Sequence, residues 1–351
     1  MISPDKKKRN PVILFGLGLL VIVFVTLIAN WRSALVREVR FPLNNGVAYL
    51  STLTDRLVAV CHDGKVYVWD WDNLSANPRI ADVQSDQAVL LESGRIASVK
   101  RSNAQAVVVT NLDNGNVDMK IPIHAENKRV YLGANRGGST VAAVLVNADD
   151  ITRGTGQEVV VVDCVAGLVR PIAIFGEAAL DRIMGMAISD DGGLIVLAGE
   201  RAGRGWVVLV NVKQKRVAWT KELPDLQKVR NAVFSTDGKV VYIRGTDSSV
   251  QMLDTENGRV LKQLLPVSEN KSTASDQHVQ ALTASSDGRF MAASVSSAVY
   301  VWDYKTEKVI LKKGPGHKLT GGMAFSPDSR YLATCDSRQG GTIKIWRISK
   351  R

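Results

Sequence analysis

A short apolar run that closes on a Trp-Asp-like pair recurs along this 351-residue chain. The clearest copies close at Trp69-Asp70, Trp302-Asp303 and Trp346-Arg347, and weaker copies close at Asn111, Asp163, Asn211 and Asp254. The intervals between the seven closings are 41, 52, 48, 43, 49 and 44 residues. An interval in the forties leaves room for about four short strands, which is typical of one blade of a β-propeller. The spacing therefore predicts an all-β fold of repeated blades.

A tight-turn sequence recurs in step with these closings. Its clearest copies are Ser189-Asp190-Asp191-Gly192, Ser235-Thr236-Asp237-Gly238, Ser285-Ser286-Asp287-Gly288 and Ser326-Pro327-Asp328-Ser329. The matching places in the three earlier units are occupied by Asp55, Ser93-Gly94 and Gly137-Gly138. Asp-Gly between alternating apolar runs favours a hairpin, because glycine accepts the positive φ of a tight turn. Two repeated features that both count seven predict a seven-bladed β-propeller.

The incomplete units at the two ends of the repeat array predict how the ring closes. The last unit has only Ile348 to Arg351 after its closing Trp346, so it lacks an outer strand. Val36–Phe41 is an extended segment with no inner strands before it. Because a closed ring leaves no exposed strand edge, we predict that Val36–Phe41 supplies the outer strand of the last blade.

The first thirty residues predict a membrane anchor. Residues 1–10 carry a cluster of Lys and Arg, and residues 11–29 contain no charge. A helix over that run measures about 28 Å, which crosses the hydrocarbon core of a bilayer. The sequence thus predicts a basic tail at 1–10, a transmembrane helix at 11–30 and a propeller at 31–351. A cleaved signal peptide is the alternative, but its apolar region normally spans only about 7–15 residues.

The charges that flank the apolar run predict its orientation. Lys6, Lys7, Lys8 and Arg9 precede it, whereas three arginines follow it within ten residues. By the positive-inside rule, we expect the amino terminus in the cytoplasm and the propeller on the extracytoplasmic side, which is the periplasm in a bacterial cell. A propeller that faces the cytoplasm is the alternative.

The charge balance argues against a nucleic-acid partner. The net charge is +11, but residues 1–40 hold seven basic and two acidic side chains, so the remaining 311 residues carry only +6. Nucleic-acid binding requires a clustered basic face with stacking aromatic residues, and no Lys/Arg run occurs within the blades. We expect the basic amino-terminal cluster to act as a topology signal with some affinity for anionic lipid.

Little in the sequence points to catalysis or to a cofactor. The four histidines, in four different blades, are His62, His124, His278 and His317. No haem-attachment or zinc spacing and no Gly-x-Ser-x-Gly nucleophile turn is present. The glycine-rich Gly199–Gly205 lacks the Lys-Ser/Thr ending of a phosphate-binding loop, which favours a hairpin. We predict no enzyme activity, no cofactor and no metal. Cys61 and Cys335 occupy similar strand positions in the first and last blades, which predicts buried apolar side chains rather than a disulfide.

The last repeat carries the most specific motif residues. It reads Gly316-His317, Ala324-Phe325-Ser326-Pro327-Asp328, Tyr331-Leu332-Ala333-Thr334 and Ile345-Trp346. This pattern resembles the WD-repeat family of propellers, sharply after about residue 228 and only in its period before that. The resemblance implies a structural hydrogen-bond network of His317, Thr334 and Trp346. Blade residues of the other clear copies are Trp69, Asp70, Trp302 and Asp303. The resemblance also implies protein or peptide ligands and no catalysis.

Three inserts interrupt the regular period and are the candidates for recognition. They are Asn147–Gln157, Gly199–Gly205 and Val267–Gln277. Because loops on a rigid ring commonly carry the binding residues, we take four charged residues as candidate partner contacts from their loop positions. These are Arg153, Glu200, Arg201 and Arg204.

Together these features predict a bacterial-type, single-pass, membrane-anchored propeller that serves as a non-catalytic protein-binding platform. The expected partners are subunits of a membrane protein complex, in which the chain is an accessory or assembly subunit, and the lipid bilayer through residues 11–30. The alternative is an extracytoplasmic enzyme or redox subunit with a ligand or cofactor in the propeller channel. That alternative predicts His, Asp or Trp side chains that converge on the channel.

Overall fold

A computed structural model describes residues 35–40, 47–53, 55–61, 63–83, 85, 87–100, 102–147, 157–174, 178–245, 249–264, 279–295, 298–306, 308–313, 320–336 and 342–348. These residues form 27 β-strands and two 3-10 turns, with no α-helix among them, so the all-β prediction is confirmed for this part of the chain. The predicted basic tail at 1–10 and transmembrane helix at 11–30 lie outside the described residues. Within the described residues, no helix has the length and apolar character needed to cross a membrane.

The strands before residue 202 are β1 (Leu35–Arg40), β2 (Val47–Leu53), β3 (Arg56–Cys61), β4 (Lys65–Asp70), β5 (Arg79–Asp82), β6 (Gln87–Leu91), β7 (Arg95–Val99), β8 (Ser102–Asn111), β9 (Val117–Ala134), β10 (Val141–Asn147), β11 (Gln157–Asp163), β12 (Leu168–Ile174), β13 (Arg182–Ile188) and β14 (Leu194–Arg201). Those after it are β15 (Arg204–Asn211), β16 (Arg216–Leu223), β17 (Val229–Phe234), β18 (Val240–Gly245), β19 (Val250–Asp254), β20 (Val260–Leu264), β21 (Val279–Ala284), β22 (Phe290–Val295), β23 (Ala298–Asp303), β24 (Val309–Lys313), β25 (Thr320–Phe325), β26 (Tyr331–Asp336) and β27 (Thr342–Arg347). The 3-10 turns are Trp71–Asn73 and Glu92–Gly94.

The strands group into seven four-stranded antiparallel blades. Blade one (β2–β5), blade four (β13–β16), blade five (β17–β20) and blade six (β21–β24) are separate sheets whose strands follow chain order. Blades two and three form one seven-stranded sheet, β6 to β12, in which β9 is the outer strand of one and the inner strand of the other. Blade seven contains β25–β27 and takes β1 as its outer strand. The inner strands of successive blades contact one another around the ring, and β25 contacts β2.

Strand β1 lies where the sequence predicts a closing strand. It pairs antiparallel with β27, with Glu38 opposite Lys344 and Val39 opposite Ile343. The strand before blade one therefore hydrogen-bonds to the last strand of the repeat array and completes the four strands of the final blade.

Strand β9 joins two blades without a loop between them. Its first part pairs with β8, whereas Lys128 to Ala134 pair with β10. His124 and Asn127 have positive φ values of 46° and 55° between the two parts. Positive φ is uncommon outside glycine, and Asn and His are among the residues that tolerate it best. The two residues thus let one strand change partners.

The apolar core lies between neighbouring blades, where inner strands approach closely. A Cβ atom at Gly185 would lie 2.8 Å from Cα of Asn231 in the next inner strand, and one at Gly322 would lie 2.8 Å from Cβ of Leu50. Real Cβ atoms do not make such contacts, so glycine is required at both positions. Cys61 and Cys335 are buried in the core between blades seven and one and form no disulfide, as the sequence predicts.

The ring has two faces, which differ in the connections they carry. The tight-turn face carries the turns between the first and second strands of each blade. These turns are centred at Asp55, Gly94, Gly138, Gly192, Gly238, Gly288 and Ser329. The loop face is opposite, where each inner strand begins and each second strand connects to the third.

Candidate functional site

Four blades build their tight turns in the same way, from a Ser and an Asp two residues later. In blade six, the hydroxyl of Ser285 donates to Oδ1 of Asp287 at 2.6 Å, and the backbone N–H of Arg289 donates to the same oxygen at 3.0 Å. The N–H of Phe290 donates to Oγ of Ser285 at 2.8 Å. The same pairs in blades four, five and seven are Ser189 with Asp191, Ser235 with Asp237, and Ser326 with Asp328. The side chains hold these turns rigid by local hydrogen bonds.

Blade three reaches a similar turn with one residue, Asn135. Its Oδ1 accepts the N–H of Thr140 at 2.9 Å, and its Nδ2 donates to Oγ of Ser139 at 2.9 Å. Nδ2 also donates to the carbonyl oxygen of Asp190 in blade four, at 2.8 Å. The amide therefore organises its own turn and ties it to the neighbouring blade.

Arg136, the next residue, crosses the tight-turn end of the ring. Its Nη1 donates to the carbonyl of Ser285 at 2.7 Å and to Oγ1 of Thr236 at 3.1 Å, and its Nη2 donates to the carbonyl of Phe234 at 3.4 Å. Its Nε lies 3.7 Å from Oδ1 of Asp190. Burial lowers the pKa of Arg136, and nearby carboxylates, Asp190 foremost, oppose that shift. Burial likewise raises the pKa of Asp190, which Arg136 partly offsets. One side chain thus links blades three, four, five and six.

The structure places two of the three predicted network residues in contact in blade seven. Nε1 of Trp346, which is 2% exposed, donates to Oγ1 of Thr334 at 2.9 Å. His317 lies outside the described residues. Strand register puts Ala59 in blade one and Ala293 in blade six at the position of Thr334. Trp69 and Trp302 are buried like Trp346, but the hydroxyl that Trp346 uses is absent from their blades at that position.

The Asp or Asn at the end of the third strand of a blade caps the turn that follows. In blade six, Oδ1 of Asp303 accepts the N–H of Thr306 at 3.0 Å and Oδ2 accepts Nε of Arg289 at 3.0 Å. These two donors, the N–H of Thr306 first, hold the pKa of Asp303 below its ordinary value. The side-chain oxygens of the four weaker closings accept turn N–H groups in the same way, namely Asn111, Asp163, Asn211 and Asp254. Asp70 instead pairs with Arg79 at 3.0 Å. Turn capping explains why the repeat closes on Asp or Asn.

The glycine-rich insert of blade four is a hairpin whose strands pair to the tip. Arg201 pairs with Arg204, and the two-residue turn between them has positive φ at both positions, 50° at Ala202 and 74° at Gly203. Such a turn is a type I′ hairpin. The backbone groups near the tip are engaged by strand pairing, which leaves no phosphate cradle in this segment.

The structure describes three of the four candidate partner contacts. Nζ of Lys228 lies 3.1 Å from Oε2 of Glu200, and the Arg201 guanidinium lies 5.0 Å from the centre of the Trp206 ring. Nη1 of Arg204 donates to Oε1 of Glu222 at 2.6 Å. Arg153, the fourth of these residues, lies outside the described residues. The three described residues occupy one hairpin, and each already has a partner within blades four and five.

A β-bulge near the start of the inner strand is a further repeated feature, which the sequence analysis missed. It occurs in five blades, where one residue of the inner strand is skipped by the pairing register: Ala48, Met184, Arg230, Gln280 and Gly321. A bulge re-aims a side chain, and bulges are common beside functional sites.

The bulge residue of blade five, Arg230, is exposed. Asn231, which follows it, pairs with Arg244, a guanidinium only 9% exposed in an otherwise apolar strand. In the sequence, the charged Arg244 within an apolar strand was the signal that could have identified this position.

The described part of the ring offers little space for a ligand. A cleft between blades five and six, lined in part by Tyr242, Met291 and Trp302, encloses about 20 Å³. That volume accommodates about one water molecule. No group of three or more His, Cys, Asp or Glu side chains that could hold a metal ion occurs among the described residues. Burial raises the pKa of the Cys61 thiol to about 12 and that of Cys164 to about 11, so neither is a ready thiolate.

Comparison with known proteins supports the repeat and the fold. Residues 309–347, which form β24 to β27, match the repeat described as WD domain, G-beta repeat. Over 124 residues, or 34% of its length, the chain is 28% identical to Autophagic-related protein 16.2 of Caenorhabditis elegans, and the match spans 22% of that protein. The β-propeller domain of Cps50 (Swd1) from Myceliophteria thermophila superposes with a TM-score of 0.67 over 90% of this chain and 99% of that domain, at 14% identity. The repeat match and the shared fold together support a WD-repeat propeller, a type of protein whose members typically act as non-catalytic scaffolds.

Proposed function

We propose that this chain is a membrane-anchored, non-catalytic protein-binding platform, with its propeller on the extracytoplasmic side. In this proposal it is an accessory or assembly subunit of a membrane protein complex. The observation that carries the platform function is the contrast between the two ends of the ring. One end is crossed by the partly buried side chain of Arg136, and the other presents bulged inner strands and a charged hairpin.

Rigidity supports the proposal first. Arg136 hydrogen-bonds to Thr236, Phe234 and Ser285 at the tight-turn end, so four blades are held in a fixed relation there. The Ser–Asp turns add local hydrogen bonds in blades four to seven. A rigid ring lowers the entropy lost when a partner binds, because few groups need to be ordered.

The loop face is the better candidate for the binding surface. It carries the Arg201–Arg204 hairpin tip, with Arg204 well exposed, and the exposed bulge residue Arg230. Arginine is enriched where proteins bind one another, because its guanidinium donates several hydrogen bonds in a fixed geometry. A partner segment that enters the ring from this face would meet the Arg136 crossing at the far end.

The membrane placement rests on the amino-terminal sequence. The uncharged run at 11–29 ends six residues before β1 begins at Leu35. Because β1 is the outer strand of blade seven, an anchor over 11–30 would attach at the rim of the ring and hold it close to the bilayer. The excess of basic residues before the run favours a cytoplasmic amino terminus.

Purification of the tagged full-length chain from its native membrane in mild detergent tests this function. We expect stoichiometric membrane proteins to co-purify with it. A control variant that carries both Leu20→Arg and Phe24→Arg should lose the membrane fraction, because each Arg at the centre of a spanning helix costs about 2.5–3.5 kcal/mol. A wild-type chain that purifies alone would contradict the platform function. A wild-type chain in the soluble fraction would contradict the anchor, and a reporter fused after Arg351 gives the side of the membrane.

A further inference from the structure

We propose that Arg230 and Arg244, at the loop face of blade five, bind an acidic side chain presented by a protein partner. This inference rests on the proposed platform function and names the chemistry that the platform recognises. The ligand is an oxyanion on a protein segment, either the carboxylate of Asp or Glu or the phosphate of a modified side chain.

Arg244 is a buried cation without an acceptor in the described part of the chain. It lies in β18, where the neighbouring Val241 and Ile243 are fully buried. Its side chain is 9% exposed, and its Nε is buried with no hydrogen-bond partner among the described residues. A buried charge that lacks a partner destabilises a fold, and most buried polar groups in proteins are paired. A partner that supplies the missing acceptor would offset this destabilisation.

Arg230 brings a second positive charge to the same place. It is the bulged residue of β17, and the next residue, Asn231, pairs directly with Arg244. Arg230 is exposed, so one cation of the pair reaches solvent and the other lies beneath the surface. Burial, and then the charge of Arg230, lower the pKa of Arg244 to about 10, which leaves it charged at neutral pH. An anion between two close cations would relieve their repulsion.

Several other cations near the loop face differ from this pair, because each lies beside an acid. Nζ of Lys128 lies 3.4 Å from Oε2 of Glu158, and Lys228 and Arg204 pair with Glu200 and Glu222. Among the described residues, Arg230 and Arg244 have no acid at salt-bridge distance. Blade five therefore carries two neighbouring cations that no described acid neutralises.

The chemistry of the pair suits an oxyanion. A guanidinium donates two parallel N–H groups to a carboxylate or phosphate, and such charge-assisted bonds are among the strongest in proteins. The bulge aims Arg230 away from the regular pleat. An acidic side chain that reaches Arg244 would pass Arg230 first, so both residues should contribute to affinity.

Fluorescence anisotropy of labelled peptides with the full-length chain in detergent tests the site. The probes are octaglutamate, octaglutamine, and an octaglutamine in which one residue is replaced by phosphoserine. We expect octaglutamate to bind and octaglutamine not to bind. Arg230→Gln and Arg244→Gln should each weaken binding by about tenfold or more, the loss of one charge-assisted hydrogen bond. The control Arg216→Gln removes an equal charge from an exposed residue whose side chain donates to Gln214, and it should change binding less than about twofold.

Two outcomes would overturn the site: octaglutamate that binds no tighter than octaglutamine, or arginine variants that bind like the wild type. Tighter binding of the phosphoserine peptide than of octaglutamate, lost in both variants, would support the site and identify phosphate as the anion. If Arg244→Gln does not fold, the exposed Arg230→Gln variant still decides the question.

Co-purification separates this inference from the platform function. Partners that co-purify equally well with wild type and with both variants would leave the platform intact and overturn the acidic site. Arginine-dependent octaglutamate binding by a chain that purifies without partners would support the site and contradict the platform.

Discussion

Blades four to seven and blades two and three solve the same structural problem in different ways. In the later blades, each tight turn is held by a Ser and an Asp two residues apart, and each inner strand has a bulge near its start. Blades two and three share β9, and their inner strands β6 and β9 pair with the next strand without a bulge.

The difference lies in how far apart in sequence the interacting groups are. The Ser–Asp turns use hydrogen bonds between residues two to five positions apart. Arg136 in blade three bonds to Phe234, Thr236 and Ser285, which are 98, 100 and 149 residues away. The turns of the later blades thus share a repeated local pattern, whereas the blade-three turn adds contacts across the ring. Variants in each region can test whether stability is divided in the same way.

The largest expected effect is in the regular blades, at Trp346. We expect Trp346→Ala to lower the free energy of unfolding by about 3–5 kcal/mol, because it removes a buried indole and leaves a cavity. Val162 holds the equivalent closing position in blade three and is also buried. Val162→Ala should cost about 1.5 kcal/mol, since it removes fewer buried carbon atoms. Urea unfolding followed by circular dichroism measures both. Equal losses would show that the closing Trp is not central to its blade.

The next effect is at the cross-ring contact. We expect Arg136→Met to cost about 3 kcal/mol, because it removes charge-assisted hydrogen bonds and leaves Asp190 without its cation. Arg330→Met is the matched control in a regular blade, where the arginine is exposed and lies 3.4 Å from Asp328. That variant should cost less than about 1 kcal/mol. The same unfolding measurement compares them, and similar losses would mean that Arg136 does not hold the ring together.

The contrast also explains what the sequence could and could not predict. Repeated local signals predicted two features of blade six: the turn at Ser285-Ser286-Asp287-Gly288, which joins β21 to β22, and the closing Trp302-Asp303, where β23 ends. The shared strand β9 was not predicted, because no signal in the sequence shows that blades two and three are joined by a continuous strand and not by a loop. Arg136 was missed because its acceptors include two backbone carbonyls, which carry no residue identity. Asn135-Arg136 stands where the regular blades have the turn Ser and the residue after it. This departure from the repeat was the available signal.

A smaller effect comes from rebuilding the blade-three turn in the pattern of the regular blades. We expect Asn135→Ser to cost about 1–2 kcal/mol, because the bonds from Nδ2 to Ser139 and to Asp190 are lost. Adding Gly137→Asp supplies the carboxylate that blades four to seven use, and Gly137 has no positive φ to prevent the exchange. The double variant should recover the local part of the loss but not the bond to blade four. Full recovery would show that the link from Asn135 to Asp190 contributes little.

The smallest effect is a difference in acid sensitivity between the two kinds of turn. The hydroxyl of Ser189 and then the N–H of Gly193 hold the pKa of Asp191 below its ordinary value. A carboxylate whose pKa is lower in the folded state stabilises the fold above its unfolded pKa, and this contribution is lost as the pH falls through about 4 and below. The blade-three turn uses the amide of Asn135, which does not titrate. Hydrogen exchange with mass spectrometry, corrected for intrinsic rates, should therefore show that peptides over 186–195 lose more protection between pH 6 and pH 3 than peptides over 135–141. Asp191→Asn is the control and should reduce the difference between the two segments, while the contribution of Asp190 remains. Equal loss of protection in both segments would mean that acid acts on the ring as a whole and not on the carboxylate turns.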